Sequence, residues 1–307
     1  MPRASVILPV RDGGAVLRDV LEAIATQELE GGFEVLATDS GSRDGSVELL
    51  RGRGARVIAV PPPSFDHGLT RNLAAREARG RCLVFLSQDA VPQTRNFLEA
   101  LITPLERDAR LAGAFARQKT RHDADPLTRR DLAGWAAAGA DARVVFVSDL
   151  ETFDRLPPLE RYALSVFDDV ASAVRREVLL AHPFAATRFG EDLEWGHRML
   201  RLGYGLAYVP AATVEHSHPR SARRLFRRNY LGHRLLYRLF GLRTIPDRRH
   251  LVRAVAGTIV GDLRALSAAG APAAAWVRAP AQSLAAVLGQ WRGAQDEAGG
   301  RPYPRWS

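Results

Sequence analysis

The chain has 307 residues, of which 46% are hydrophobic and 25% charged, which excludes a disordered or low-complexity protein and leaves one large domain or two modest ones. Its single cysteine, Cys82, excludes an intramolecular disulfide framework and a multi-cysteine zinc site, and fits a reducing compartment. The formal net charge is +9, nearly all of it arginine, because Lys119 is the only lysine.

The first apolar run, before Arg11 and Asp12, is too short for the core of a signal peptide, so no export is expected. SVILPV (5–10), FEVLATD (33–39), ARVIAV (55–60) and CLVFLSQD (82–89) read as strands, with helix-like segments at 14–28, 44–53 and 69–79 between them. Continuous apolar strands alternating with helices predict a parallel sheet covered on both faces, with ligands beyond the carboxyl ends of its strands. Those ends are Pro9–Asp12, Thr38–Asp44 and Ser87–Ala90, where the polar residues fall. LAGAFARQ (111–118) predicts another strand, a polar stretch (121–131) leads into a helix to about 138, and VVFVSD (144–149) forms a second apolar cluster. Val170–Val174 reads as a short strand, and 190–203 as a helix with acids at its start and Gly203 as its stop. YGLAYVP (204–210) and ATVEHSH (212–218) read as two strands. Ser221 is the expected N-cap of a helix with Leu225, Phe226, Tyr230, His233, Leu236, Tyr237 and Phe240 near one face. Alanine-rich helices fill 247–290, where Asp262, Arg264 and Arg278 interrupt any membrane-spanning run, and the Gly- and Pro-containing end is expected to fray.

Five short segments carry candidate chemistry. In DSGSRDGS (39–46), Asp39 ends a strand and the small residues permit a tight turn into a helix capped near Asp44. A carboxylate there accepts hydrogen bonds from a ribose or base, although the same pattern serves a plain strand–turn–helix. Dinucleotide and P-loop fingerprints are absent. FDHGLTRN (65–72), after the proline run 61–63, concentrates His67, Arg71 and Asn72 at a loop-to-helix junction suited to phosphate. FLSQDAVP (85–92) ends an apolar strand on Asp89, a hard oxygen ligand able to hold Mg²⁺ or Mn²⁺ against a diphosphate. Glu191 and Asp192 pair at a helix start, where the dipole favours acids with or without a function. The functional reading makes one of them a general base. His216 and His218, two apart on an expected strand, share a face, as metal ligands or as ordinary surface histidines.

In their order, VILPVRDGG, DSGSRDGS, FDHGLTRNLAA, FLSQDAVP, GED and VEHSH closely resemble the family 2 glycosyltransferases of the GT-A fold, over roughly residues 3–240. FDHGLTRN, SQDA, ARQKTRHDADP (116–126) and FDDVASAVRRE (167–177) are similar to the bacterial rhamnosyltransferase branch. The resemblance implies an α/β, Rossmann-like fold with a mostly parallel central sheet flanked by helices. Its expected organisation is a catalytic domain at 1–220 (nucleotide half 1–118, acceptor-side half 119–220), a helical extension at 221–292 and a flexible tail at 293–307. It implies inverting transfer of a sugar, rhamnose from dTDP-rhamnose first, to a hydroxyl of a saccharide or lipid-linked saccharide. By similarity Pro9, Val10, Arg11, Asp39 and Ser42 contact the donor's base and ribose, and His67, Gly68, Arg71 and Asn72 border the nucleotide or sugar. Gln88 and Asp89 complete the donor side, Asp89 with His216 or His218 holds Mg²⁺ or Mn²⁺, and Asp192 is the base, supported by Glu191 or Glu194. Two departures stand out: Ser87–Gln88–Asp89 offers one acid where many relatives have two or three, and Ser40 stands where many have a second Asp.

Residues 220–253 hold eleven arginines and one acid, for +10, so the remaining 273 residues sum to −1. With the resemblance, this segment (221–253 in particular) is expected to touch anionic lipid, on a cytoplasmic protein at the inner face of the cell membrane. Packing on the body is the plainer expectation. The alternatives are a family 2 enzyme with another donor, a non-catalytic saccharide- or partner-binding relative, and a nucleic-acid binder. Asp39, Asp89, Asp192 and both histidines are all present, which argues against a non-catalytic relative, and no nucleic-acid partner is expected.

Overall fold

The structure, a computed structural model, describes residues 1–62, 65–304 and 306, so the last proline of the 61–63 run lies outside the described residues. β1 (Ala4–Val10), α1 (Gly14–Ala25), β2 (Phe33–Asp39), α2 (Ser46–Gly52), β3 (Arg56–Ala59), α3 (His67–Glu77) and β4 (Cys82–Leu86) alternate as the apolar pattern dictates. They are followed by β5 (Val91–Pro92), α4 (Phe97–Arg107), β6 (Leu111–Lys119), α5 (Pro126–Ala133), β7 (Arg143–Val145), α6 (Leu150–Arg155) and α7 (Pro158–Ser165). β8 (Ala171–Arg175), α8 (Arg176–Ala181), α9 (Glu191–Arg201) and β9 (Gly205–Glu215) complete the body, and α10 (Ala222–Phe240), α11 (Arg248–Ala268) and α12 (Ala273–Ala298) lie beyond it.

The sheet order is β3-β2-β1-β4-β8-β6-β9-β5, with β7 also paired to β9. β1 to β4, β6 and β9 run one way, and β8, β5 and β7 run against them. Both faces are buried. Val6, Leu8 and Val10 pack with Leu17 and Leu21 of α1 and Leu101 and Leu105 of α4, while Ile7 packs in the opposite layer with Ala74 and Ala75 of α3 and Trp195 and Met199 of α9. This two-sided burial is why the strands read as unbroken apolar runs. The strand order reverses direction of growth at β1 and β4, which is where a crevice for a ligand opens in such sheets. Because β8 is antiparallel, its approach segment, Asp168–Val170, reaches the same edge as the carboxyl ends of β1, β2, β4, β6 and β9.

Several elements differ from the sequence reading. The two strands expected at 204–210 and 212–218 are one, β9, because β6 pairs with it on both sides of a register shift between Ala116 and Arg117 that absorbs Pro210. The strand at 82–89 stops at Leu86, freeing 87–90 to turn. Only Arg143–Val145 of the 144–149 cluster region is strand, laid antiparallel on β9. α2 is not capped by Asp44. Gly45 is its N-cap with φ 86°, and Asp44 instead accepts from Ser46 and from the Gly14 N–H. α4 had no expected element. Its Phe97, Leu98, Leu101, Ile102 and Leu105 form a helical apolar stripe that Pro104 obscures in sequence.

α10 is capped by Ser221 as expected, but Tyr230, Arg234, Leu235 and Phe240 are its buried residues. The seam is turned because Arg234 is paired to Glu297 of α12 at 2.6 Å. The expected fraying from about 289 is replaced by helix to Ala298. Gly289 and Gly293 let α12 lie directly on α10: a Cβ at Gly293 would sit 2.2 Å from the Tyr230 carbonyl oxygen. Asp262 of α11, fully buried, accepts from Ser283 of α12 at 2.7 Å and pairs with Arg130 of α5 at 2.7 Å, tying the helices to the body. Among the described residues no helix is long and apolar enough to cross a membrane.

Candidate active site

The β1–α1 turn and the 39–46 loop are laced together at the sheet edge. The N–H of Asp12 donates to Ser42 Oγ (2.9 Å), that of Gly13 to Ser46 Oγ (2.9 Å), and that of Arg43 to Asp12 Oδ1 (2.8 Å). Asp39 accepts from the N–H groups of Gly41 and Ser42, which fixes its carboxylate at the end of β2. Gln88 spans the gap between β4 and β1: its Oε1 accepts from the Arg11 N–H (2.8 Å) and its Nε2 donates to the Arg11 carbonyl (3.1 Å). Gln88 therefore holds the two strand ends together at the crevice. Pro9, Val10, Arg11, Asp39 and Ser42 lie together on one rim.

The second rim is a three-residue cluster. Asp89 Oδ1 lies 3.5 Å from His216 Nε2, and Asp89 Oδ2 lies 3.2 Å from His218 Nδ1. Ligand atoms of the three lie within 4.8 Å of one another, close enough to share one ion. Both histidines sit just past the end of β9 rather than on it, yet both converge on Asp89. Burial alone raises the Asp89 pKa, but the two imidazoles outweigh it and hold the carboxyl well below the usual range. His216 Nδ1 faces Gln118 Oε1 at 3.1 Å, Gln118 Nε2 donates to Asp168 Oδ2 (2.7 Å), and Trp135 Nε1 donates to the same oxygen (2.8 Å). A cation bound here would be met by the His216 Nε2 lone pair once Nδ1–H is given to Gln118 Oε1, the arrangement a metal-ligating imidazole needs. One carboxylate and two imidazoles, oriented and half-buried, fit a divalent cation.

Behind this rim lies the acid cavity, about 380 Å³, between β8, α9 and α10. Gly190, with φ 72°, starts α9; its lack of a side chain admits Leu235 of α10, since a Cβ there would come within 2.3 Å of Leu235 Cδ2. Asp192 accepts from the N–H groups of Leu193 (2.7 Å) and Asp169 (3.3 Å). Arg71 is buried and pairs with Asp169 (2.9 Å) and Glu191 (2.8 Å). Burial pushes Glu191 and Asp169 up to about 7, with Arg71 opposing it for both. Asp192 is also pushed well above the carboxylate range, first by burial and then by the charges of Asp169 and Asp168. Three acids around one guanidinium therefore hold a proton near neutral pH, and one of them is poised to take another group's proton.

Three residues expected on the donor side are engaged within the protein. Arg71 is spent on Asp169 and Glu191, and Asn72 is buried with its amide paired in both directions to the Phe184 backbone (2.8 and 3.0 Å). Gly68 is likewise buried against Ala185 and Phe184. These three fasten α3 to the segment before α9, while His67 lies at the cavity mouth. Glu194, a candidate support for the base, is paired instead to Arg198 at 3.0 Å on the same helix. Sequence reasoning missed Asp168, Asp169, Gln118 and Trp135. The acids stood in the FDD of 167–169, but antiparallel β8, which carries them to the edge, has no sequence signature of its direction.

The basic segment is not one solvated face. Arg234 and Arg238 both bond to Glu297, Arg220 pairs with Asp131, and Arg227 donates to the Trp306 carbonyl. Arg224 and Arg228 line the crevice beside His218 and Asn229.

This mostly parallel α/β sheet gathers acids and histidines at its carboxyl edge, where enzymes of such folds bind their ligands. A family model for glycosyl transferase family 2 matches residues 5–180, and the chain belongs to that family: it is a glycosyltransferase. It is similar to the O-antigen chain rhamnosyltransferases WbaN of Salmonella anatum and RfbN of Salmonella typhimurium, each 27% identical over 234 residues. The first alignment spans 75% of this chain and 71% of the relative, and the second 74% and 70%. Among solved structures, the mannosyltransferase PcManGT of Pyrobaculum calidifontis, in complex with GDP-Man and Mn²⁺, superimposes with a TM-score of 0.59 at 16% identity, over 98% of this chain and 88% of that one. Glucosyl-3-phosphoglycerate synthase of Mycobacterium tuberculosis, with Mg²⁺ and uridine diphosphate, gives 0.57 at 20% identity over 80% and 81%. Both share the GT-A-like fold.

Proposed function

We propose that the protein is an inverting rhamnosyltransferase, taking rhamnose from dTDP-rhamnose to a hydroxyl of a saccharide or lipid-linked saccharide. The observation that carries the catalytic part is the acid cavity: Asp192, raised in pKa and without an ion pair among the described residues, lines a cavity that shares Trp135, Asp168, Arg228 and Asn229 with the crevice of His216 and His218. The names of the two Salmonella relatives favour rhamnose as the sugar. Pro9, Val10, Arg11, Asp39 and Ser42 receive the base and ribose, with Gln88 keeping the crevice in shape. Asp89, His216 and His218 hold the cation, and two imidazoles in the set favour Mn²⁺ over Mg²⁺. When bound, the cation supplies charge neutralisation to the nucleoside diphosphate leaving group. Asp192 accepts the proton of the acceptor hydroxyl as that oxygen attacks the anomeric carbon from the face opposite the diphosphate. Asp169 donates its backbone N–H to Asp192, and Arg71 keeps Asp169 and Glu191 from competing charge by charge for the same space. A nucleotide-sugar donor implies work on the cytoplasmic side. Any peripheral contact of 221–253 with a membrane falls to Arg248, Arg249 and Arg253 on exposed turns of α11.

The test is a transfer assay and a thermal-shift panel of nucleotide sugars with Mn²⁺, Mg²⁺ or EDTA. A ligand at about a hundred times its Kd adds about 2.7 kcal/mol. Preferential stabilisation by dTDP-rhamnose, lost in EDTA, is expected. A preference for GDP-mannose or UDP-glucose, the donors seen with structural neighbours, replaces the sugar and keeps the mechanism.

A further inference from the structure

The arginines of α10 have two fates. Those toward its C-terminal end are paired: Arg234 and Arg238 share Glu297, with the Arg234 guanidinium 3.8 Å from the Tyr303 ring centre. Arg223, Arg224 and Arg228, in its first two turns, make no ion pair with any described residue. With Arg227, His67 and His218 they surround an open cavity of about 630 Å³ whose wall contains no carboxylate. Burial and the neighbouring charge of Arg228 hold the Arg224 guanidinium below its ordinary pKa. Positive groups gathered on a wall without a carboxylate repel one another, with Asp89 attracting Arg224 from beyond that wall, so the cluster is the complement of a multiply charged oxyanion, and guanidinium forks match phosphate geometry.

The cavity adjoins two others. Arg228 also lines the Asp192 cavity, and Arg223 and Arg227 also line an apolar groove of about 520 Å³ between α10 and α12. Phe226, Leu284, Leu288 and Trp306 wall that groove, and Leu284 is left 42% exposed. Along one helix the surface thus passes from a proton acceptor to a cationic pocket to an apolar trough.

We propose that Arg223, Arg224 and Arg228 form a metal-independent site for the phosphate or diphosphate of an amphiphilic acceptor, whose hydrocarbon chain lies in the α10–α12 groove while its sugar hydroxyl reaches Asp192. Only the last clause rests on the transferase reading above. The anion site and the groove stand on their own residues, and the donor's diphosphate belongs to the Asp89 cluster.

The experiment titrates farnesyl diphosphate, inorganic pyrophosphate and dTDP into the full chain by calorimetry in EDTA. Farnesyl diphosphate is expected to bind at least about tenfold more tightly than pyrophosphate, a difference the groove supplies. Arg223→Gln with Arg228→Gln should weaken both ligands, and Leu284→Gln should weaken farnesyl diphosphate alone; unchanged melting temperatures verify that both variants fold. Equal affinity for the two diphosphates, or no effect of Leu284→Gln, overturns the groove assignment. No binding of either in EDTA, or displacement of farnesyl diphosphate by dTDP, overturns the anion site. A separate titration of dTDP-rhamnose with Mn²⁺ reads the donor assignment: its failure with farnesyl diphosphate still bound strikes the transferase reading and not this site.

Discussion

At the Asp89 centre one carboxylate is enclosed by two imidazoles; in the Asp192 cavity Asp169, Glu191 and Asp192 gather around the single guanidinium of Arg71. Both clusters stand at the same sheet edge and both are largely removed from water. Their environments drive the carboxylates in opposite directions, Asp89 down and the three cavity acids up. What differs is the ratio of negative groups to positive or proton-donating ones. An excess of donors gives a permanent anion suited to hold a cation, and an excess of acids gives a group that exchanges protons near neutrality.

Removing the proton acceptor tests the second half of that contrast most severely. Asp192→Asn should lower kcat by about 10²–10⁴-fold, the ordinary contribution of a general base, while donor binding measured by thermal shift is retained. Near-normal turnover in this variant would take the base away from Asp192.

Arg71→Met attacks the balance rather than the base. Breaking a buried ion pair from one side costs about 3–5 kcal/mol, because the partner charges stay behind. Here the cost should depend on pH. Asp169 and Glu191 titrate near 7 with Arg71 present, and higher without it, so at pH 5 both are protonated and need no counter-charge. Urea unfolding should therefore show a large loss of stability at pH 8.5 and a small one at pH 5. An equal loss at both would mean that Arg71 acts by packing, for instance over the Phe85 ring, and not by charge.

The two clusters were not equally legible in the sequence. Asp89, His216 and His218 could be picked out because each closely follows a strand of the main direction, and the carboxyl edge of a parallel sheet is where ligands collect. Asp192 and Glu191 stood out at a helix start. Asp169 and Asp168 did not, since they enter through β8, and nothing local tells a strand that it will lie antiparallel. Arg71 was legible as a polar residue at the right junction but not as a counter-ion, because its partners are about a hundred residues away in the chain. The N-terminal fold was readable for the same reason that its strands are unbroken apolar runs, whereas α4 was hidden by Pro104. The turn of α10 onto Arg234 was set by Glu297, a residue assigned to a tail.

On the metal side, Asp89→Ala should remove the dependence of donor binding on Mn²⁺ altogether. Gln118→Leu is the finer probe, for it leaves all three ligands in place and removes only the group that orients His216. Losing such an outer partner costs about 10–100-fold in metal affinity. Mn²⁺ titration followed by electron paramagnetic resonance measures this directly, without turnover. An unchanged affinity would show that His216 is held by its own backbone, and would leave Gln118 as a strut between β6 and Asp168.

The smallest effect distinguishes a shared proton from a private one. Transfer should weaken as pH falls, because a base must be unprotonated, and the acid limb of kcat should have unit slope and lie well above the ordinary carboxylate range. If the limb belongs to Asp192 alone, Asp169→Asn removes a neighbouring negative charge and moves it to lower pH with its slope unchanged. If instead the proton is spread over the coupled acids, the limb belongs to the group, and the substitution should change its shape as well as its position. Arg71 would then turn wholly to Glu191, lowering that pKa further and leaving Asp192 as the last raised carboxylate in the cavity. A pH–rate profile that coincides with the wild type for both Asp169→Asn and Asp168→Asn would mean that burial alone raises Asp192. The acid cavity would then be a matter of dryness, and its contrast with the Asp89 centre would no longer lie in the count of charges.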